Sequence, residues 1–123
     1  MKRDFELVRK ILLEIEGLTE PELIDKDSKF IAGYEPEQVN YHLLLLLDAN
    51  LISAINENPD DKHFFWKIER LTWEGHDFLD AARNTTIWEK AKAQLGQQLA
   101  TLPITVLKAY LLDLTMRQLG LTP

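Results

Sequence analysis

Two histidines set among carboxylates mark where chemistry would first be sought. His42 lies in Asn40-Tyr41-His42-Leu43, and His76 lies in Trp73-Glu74-Gly75-His76-Asp77. A metal centre needs three or four converging ligands, and a general base needs its substrate within hydrogen-bond reach. His42 and His76, with Glu74 or Asp77, would have to be drawn together from two separate elements, and no third ligand stands at metal spacing. His42 falls near an apolar helix stripe, so it is expected to donate a hydrogen bond to a backbone carbonyl. His63, in a polar stretch, is expected to be solvated. The chain has no cysteine. It carries no glycine-rich phosphate loop, nucleophile elbow or paired-carboxylate motif. The expectation is a non-enzyme with no catalytic residues, metal or cofactor.

Base recognition is the other chemistry the residue types suggest. Gln38 and Asn40 could read base edges, and Trp66, Trp73 and Trp88 could stack on bases. With apolar neighbours at strand and helix positions, the three tryptophans are expected as core anchors instead.

The elements that must position these groups follow from periodicity. Phe5, Val8, Leu12 and Ile15, widened by Leu7 and Ile11, predict a helix over Arg3 to Glu16, stopped at Gly17. Leu18 to Gly33 holds two apolar pairs, Leu23-Ile24 and Phe30-Ile31, around the charged turn Asp25-Lys26-Asp27. One or two short strands are read there, with a short helix as the alternative. Pro36 opens a central helix running to Asn50, with five leucines in a row, Leu43 to Leu47. At helical steps Val39, His42, Leu43, Leu46 and Leu47 form its core stripe. Glu37, Tyr41, Leu44, Leu45 and Asp48 face away.

Ile52 to Ile55 reads as a strand, and Asn56 to His63 as a polar loop. Phe64 to Leu71 alternates as a second strand with Phe64, Trp66 and Ile68 inward, which makes a β-hairpin. Thr72 caps a helix from Trp73 to about Arg83, inside which Gly75 is expected to permit close backbone packing. Ile87, Trp88, Ala91, Leu95 and Leu99 mark the next helix. Pro103 to Leu119 is the last, with Ile104, Leu107, Leu111, Leu114 and Gln118 at steps of three and four.

Charge argues against nucleic acid. The net charge is −6. Residues 35–84 hold ten acids against four bases, whereas residues 85–123 hold two against four. Affinity for nucleic acid rests largely on Lys and Arg neutralising phosphates, and Pro36 to Asn50 contains neither. The hairpin loop offers Glu57, Asp60 and Asp61 against Lys62. The opening MKRDFELVRK is unlike a signal peptide, and no apolar run approaches the roughly 20 residues of a membrane span. A cytoplasmic protein with no membrane contact is the reading.

The opening MKRDFELVRKIL, the segment YHLLLLLDANLI and the segment LTWEGHDFLDAARNTTIW (Leu71 to Trp88) together resemble the domain-of-unknown-function family 2513. The resemblance covers roughly residues 1–90. It implies a bacterial or prophage origin and a winged-helix-like fold, and it carries no catalytic residues with it. Asn50 departs from the pattern, where related sequences more often have glycine; both tolerate the left-handed cap.

The sequence thus predicts an α+β chain: a winged helix-turn-helix-like domain over 1–84 with a β-hairpin wing, and a C-terminal helical extension over 85–123 that packs on it or mediates dimerisation. The function expected is a small regulator acting mainly through protein contacts, with a protein partner or a second copy of itself. Tyr41, Leu44, Leu45, Leu107, Leu111 and Leu114 are the candidate contact residues. The alternative is a DNA-binding transcriptional regulator using helix 36–50 and the 56–63 wing, with Gln38, Asn40, Lys62, Lys67, Lys2 and Arg3 as candidate nucleic-acid contacts.

Overall fold

A computed structural model describes residues 1–60 and 62–121; Asp61, expected in the hairpin loop, lies outside the described residues. These residues form five α-helices and one three-stranded antiparallel sheet, so the chain is α+β. They divide into two compact units, Met1–His76 and Asp77–Pro123. The division falls inside a helix and not at residue 84, because the expected break at Asn84 is a cap between two helices of the second unit.

In the first unit, helix α1 (Phe5–Glu16) starts where the Asp4 carboxylate accepts from the amides of Glu6 and Leu7. Phe5, Leu7, Val8, Ile11, Leu12 and Ile15 are all buried, and the helix packs on the sheet and on α2. A side chain such as Leu or Ile contributes about 1.5–3 kcal/mol when fully buried, so this face is a principal source of stability for the unit.

Strand β1 (Glu22–Asp25) is the single strand between α1 and α2; Phe30-Ile31 forms neither a second strand nor a helix. The Asp25 side chain accepts from the Asp27 amide and the Ser28 hydroxyl. That local turn ends the strand before a hairpin partner can form. Lys29 (φ 49°) and Gly33 (φ 87°) then hold the connection in left-handed conformations.

Helix α2 (Pro36–Asp48) opens with a capping box between Glu35 and Gln38. It closes through Asn50, which adopts the left-handed conformation (φ 59°) expected of it. Strands β2 (Ile52–Asn58) and β3 (Phe65–Leu71) form the hairpin, and β3 is central in the order β1-β3-β2. Its inward residues Trp66 and Ile68, with Phe64 just before the strand, are buried as the alternation predicts.

Helix α3 (Trp73–Ala82) crosses the boundary between the units. In the second unit, α4 (Thr85–Leu95) is capped by the Asn84 side chain, which accepts from the Ile87 amide. It stops at Gly96 (φ 54°), short of the expected Leu99, and a 3-10 turn over Gly96–Thr101 leads to α5 (Ile104–Gln118). Helix α5 packs on α4 and buries Leu107, Leu111 and Leu114.

Candidate functional site

His42 is fully enclosed, with 1% of its surface exposed. Its Nδ1 donates to the Gln38 carbonyl oxygen, and its Nε2 accepts from the Asp4 amide, each at 2.8 Å. The Asp4 amide can only donate, so Nε2 carries the lone pair and Nδ1 the proton. Both nitrogens are occupied with backbone, which removes His42 from metal or acid–base chemistry and makes it a brace between the start of α1 and α2. His76 is exposed, so the two histidines are not brought together. Among the described residues no cluster of three His, Asp or Glu side chains could hold a metal ion.

The base-reading candidates on α2 are also consumed. Asn40 is 4% exposed, and its Oδ1 accepts from the Trp66 indole N–H at 2.8 Å. This buried pair satisfies both groups and withdraws Asn40 from any nucleic-acid contact. The Gln38 side-chain oxygen accepts from the Glu35 amide in the capping box. Lys67 lies between Leu23 of β1 and Ile55 of β2 in register, both exposed, on the outer face of the sheet. Arg3 is half-buried with its guanidinium 4.6 Å from the centre of the Phe5 ring. Lys2 and Lys62 remain exposed. Of the six expected nucleic-acid contacts, then, one is buried and two are committed locally, and α2 supplies no cation to accompany the rest.

The apolar candidates divide as well. Tyr41, Leu44 and Leu45 are half-buried, with the Tyr41 ring edge-on to His42. Leu47, expected in the core stripe, is instead 36% exposed. Of the expected stripe, Val39, His42, Leu43 and Leu46 are buried, and Leu47 is left out because the helix ends within a turn of it. Leu107, Leu111 and Leu114 are closed inside the chain and offer no contact surface, correcting their reading as an interface.

Trp73 is the residue that reasoning from pattern misplaced. Trp66 and Trp88 are fully buried, as expected of core anchors, but Trp73 is 79% exposed. The signal was there: three, four and seven residues on stand His76, Asp77 and Asp80, so the helix face that Trp73 shares is polar. Thr72 holds the backbone from which the indole projects. Its hydroxyl donates to the Asn50 carbonyl oxygen at 2.6 Å and accepts from the Gly75 amide at 3.0 Å. The Thr72 amide donates to Leu51. A Cβ at Gly75 would stand 2.0 Å from the Leu51 carbonyl oxygen, so only glycine lets α3 start this close to the end of α2. Leu47 and Trp73 thus flank one junction, with Asp48 and Glu74 exposed beside them.

A cleft of about 620 Å³ opens between the end of β1, the connection to α2, and Phe64. Buried Ile24, Ile31, Val39 and Phe64 line its depth, and Asp25, Lys26, Asp27 and Lys29 its mouth. None of the ionisable side chains that line it is buried.

Among known proteins, a family model described as "Hypothetical protein (DUF2513)" matches residues 2–101. A protein of Haemophilus influenzae (strain ATCC 51907 / DSM 11121 / KW20 / Rd), named "Uncharacterized protein", is 36% identical over 109 residues, covering 88% of this chain and 90% of its own. No solved structure matches.

Proposed function

The chain belongs to the DUF2513 family, and from that premise we propose that it is a small non-enzymatic regulator of bacterial or phage origin that acts in the cytoplasm by docking a protein partner. The observation that carries this reading is Trp73, 79% exposed at a junction held rigid by Thr72 and Gly75. Tryptophan is enriched among the few residues that dominate interface energies, and an anchor carried on a well-held backbone leaves less to be ordered on binding. Leu47 enlarges the apolar contact, while Asp48 and Glu74 at its rim favour a partner with a cationic edge around an apolar pocket. Tyr41, Leu44 and Leu45, half-buried on the same helix as Leu47, would extend it.

One observation favours a second reading, that of a DNA-binding regulator. A helix followed by a β-hairpin, with the sheet order β1-β3-β2, resembles part of a winged helix, with α2 in the recognition position. Against it stand the absence of any cation on α2 and the engagement of Gln38 and Asn40. The connection from β1 to α2 also lacks the additional helix of a helix-turn-helix.

Fluorescence anisotropy of labelled random-sequence duplex, titrated with the protein at low and high salt, separates the two. Under the protein-docking reading no saturable binding is seen at low salt. Tight binding that weakens steeply as salt rises would instead establish the DNA reading. In parallel, cross-linking in bacterial extract followed by mass spectrometry should recover a specific partner with the wild type and lose it with Trp73→Ala. An undiminished partner with that variant would remove Trp73 from the interface.

A further inference from the structure

Helix α5 carries two apolar stripes, and among the described residues only one is covered. Ile104, Leu107, Leu111 and Leu114 turn inward, with the last three buried. On another side stand Ala109, Leu112, Met116 and Leu119, spaced three, four and three residues apart. Leu112 and Met116 are each 43% exposed and Leu119 is 65% exposed. Ala109 is exposed too. At about 100° per residue this second stripe lies roughly 140° round the helix from the first. Alternating steps of three and four are the a and d positions of a heptad, the pattern with which one helix seats its side chains between those of another.

The flanking charges indicate what the partner is. Counting Ala109 and Met116 as a and Leu112 and Leu119 as d, Lys108 takes a g position and Asp113 the following e position. In a parallel pair of helices, g of one strand faces the next e of the other. Two parallel copies of α5 would therefore set Lys108 of each beside Asp113 of the other, twice by symmetry. In an antiparallel pair g faces g, and lysine would oppose lysine. Within one chain Lys108 lies 4.0 Å from Asp77, and Asp113 pairs with Arg117, both in solvent. Such exposed pairs hold their partners weakly, so both charges are free to re-pair. A seam of identical pattern and opposite flanking charge is complementary to itself.

We propose that α5 pairs in parallel with α5 of a second copy of this chain through Ala109, Leu112, Met116 and Leu119, with reciprocal Lys108–Asp113 contacts. Four positions over two heptads make a weak dimer, which sets how it is looked for. This proposal does not depend on what Trp73 binds.

Sedimentation equilibrium from micromolar to near-millimolar concentration tests it. The expected mass rises with concentration from the 14.3 kDa of one chain towards twice that. Leu112→Glu with Met116→Glu should stay at one chain throughout, with unchanged far-ultraviolet circular dichroism because both side chains are on the surface. Should that variant unfold, the charge pair still decides: Lys108→Glu alone should weaken association several-fold, and adding Asp113→Lys should restore it. The chain has no cysteine, so Leu119→Cys reports orientation directly. Mild oxidation should join two copies through Cβ positions that face each other only in a parallel, in-register pair. A single-chain mass at every concentration overturns the proposal. So does a dimer that survives the double glutamate substitution, or one that Leu119→Cys fails to cross-link.

Discussion

Two side chains show how individual residues hold this protein without doing chemistry. His42 satisfies the Gln38 carbonyl and the Asp4 amide from inside the core. Replacing it by leucine keeps most of the volume and strands both polar groups, for a loss of about 2–4 kcal/mol by the cost of unsatisfied buried partners. Urea denaturation measures this, and an unchanged midpoint would show that water replaces the ring. Asp60 works at the surface. Its carboxylate accepts from the Lys62 and His63 amides at 2.7 and 3.1 Å, and these bonds, Lys62's foremost, hold its carboxyl below the ordinary aspartate range. The His63 side chain adds to the effect. A lowered carboxyl stabilises the hairpin loop fully above the ordinary aspartate value, and that support is lost as pH falls through the lowered one. Titration by NMR should therefore move the Lys62 and His63 amide resonances with a midpoint more acidic than that of a free aspartate. A midpoint at or above it would discount these bonds. The role of His42 was partly legible from its place near the α2 stripe. Its second partner, 38 residues away in the chain, was not, because no local pattern encodes which amide another element presents.

At the scale of elements, the junction of α2, β2 and α3 is the most constrained place in the first unit. Gly75→Ala would gain about 1 kcal/mol of helix propensity. The new methyl would meet the Leu51 carbonyl oxygen, which is backbone and cannot rotate away. Overpacking of that kind typically costs 1–3 kcal/mol. Set against the propensity gain, a net loss of up to about 2 kcal/mol is expected, read from the denaturation midpoint; a gain would mean that α3 can slide. The glycine's purpose was visible in the sequence, since glycine inside a helix needs a reason. The helices and the hairpin were legible too, because buried alternation and helical spacing are local signals. Two features were not. Phe30-Ile31 looked like a strand as much as Leu23-Ile24 did, and the Asp25 side-chain turn decided between them. Helix α5 has two apolar stripes, and local spacing alone does not say that α4 would cover the one with Leu107, Leu111 and Leu114.

Taken whole, the molecule places one buried tryptophan in each unit, Trp66 in the first and Trp88 in the second, and exposes Trp73. Its emission should accordingly resolve into a blue, shielded component and a red component open to acrylamide. Trp73→Phe should remove the quenchable component alone. Quenching that persists in this variant would mean that Trp66 or Trp88 is reached by solvent. The same arrangement supplies two optical probes of folding: with Trp73 replaced, Trp66 follows the first unit and Trp88 the second. The acidic balance of residues 35–84 leads to the expectation of few phosphate contacts, and α2 carries neither Lys nor Arg. What charge counting could not foresee was a large exposed indole, because whether a helix-start residue points inward depends on the elements around it.

The hydrogen-bonded imidazole of His42 has one more consequence. Its Nδ1 proton is shut away from solvent and held by a main-chain carbonyl, so it should exchange slowly enough to give its own downfield resonance. Because the other nitrogen is anchored at the start of α1, that signal persists only while α1 and α2 remain docked. It would serve as a label-free spectroscopic gauge of partial opening in the first unit, sensitive to excursions that leave the helices themselves intact.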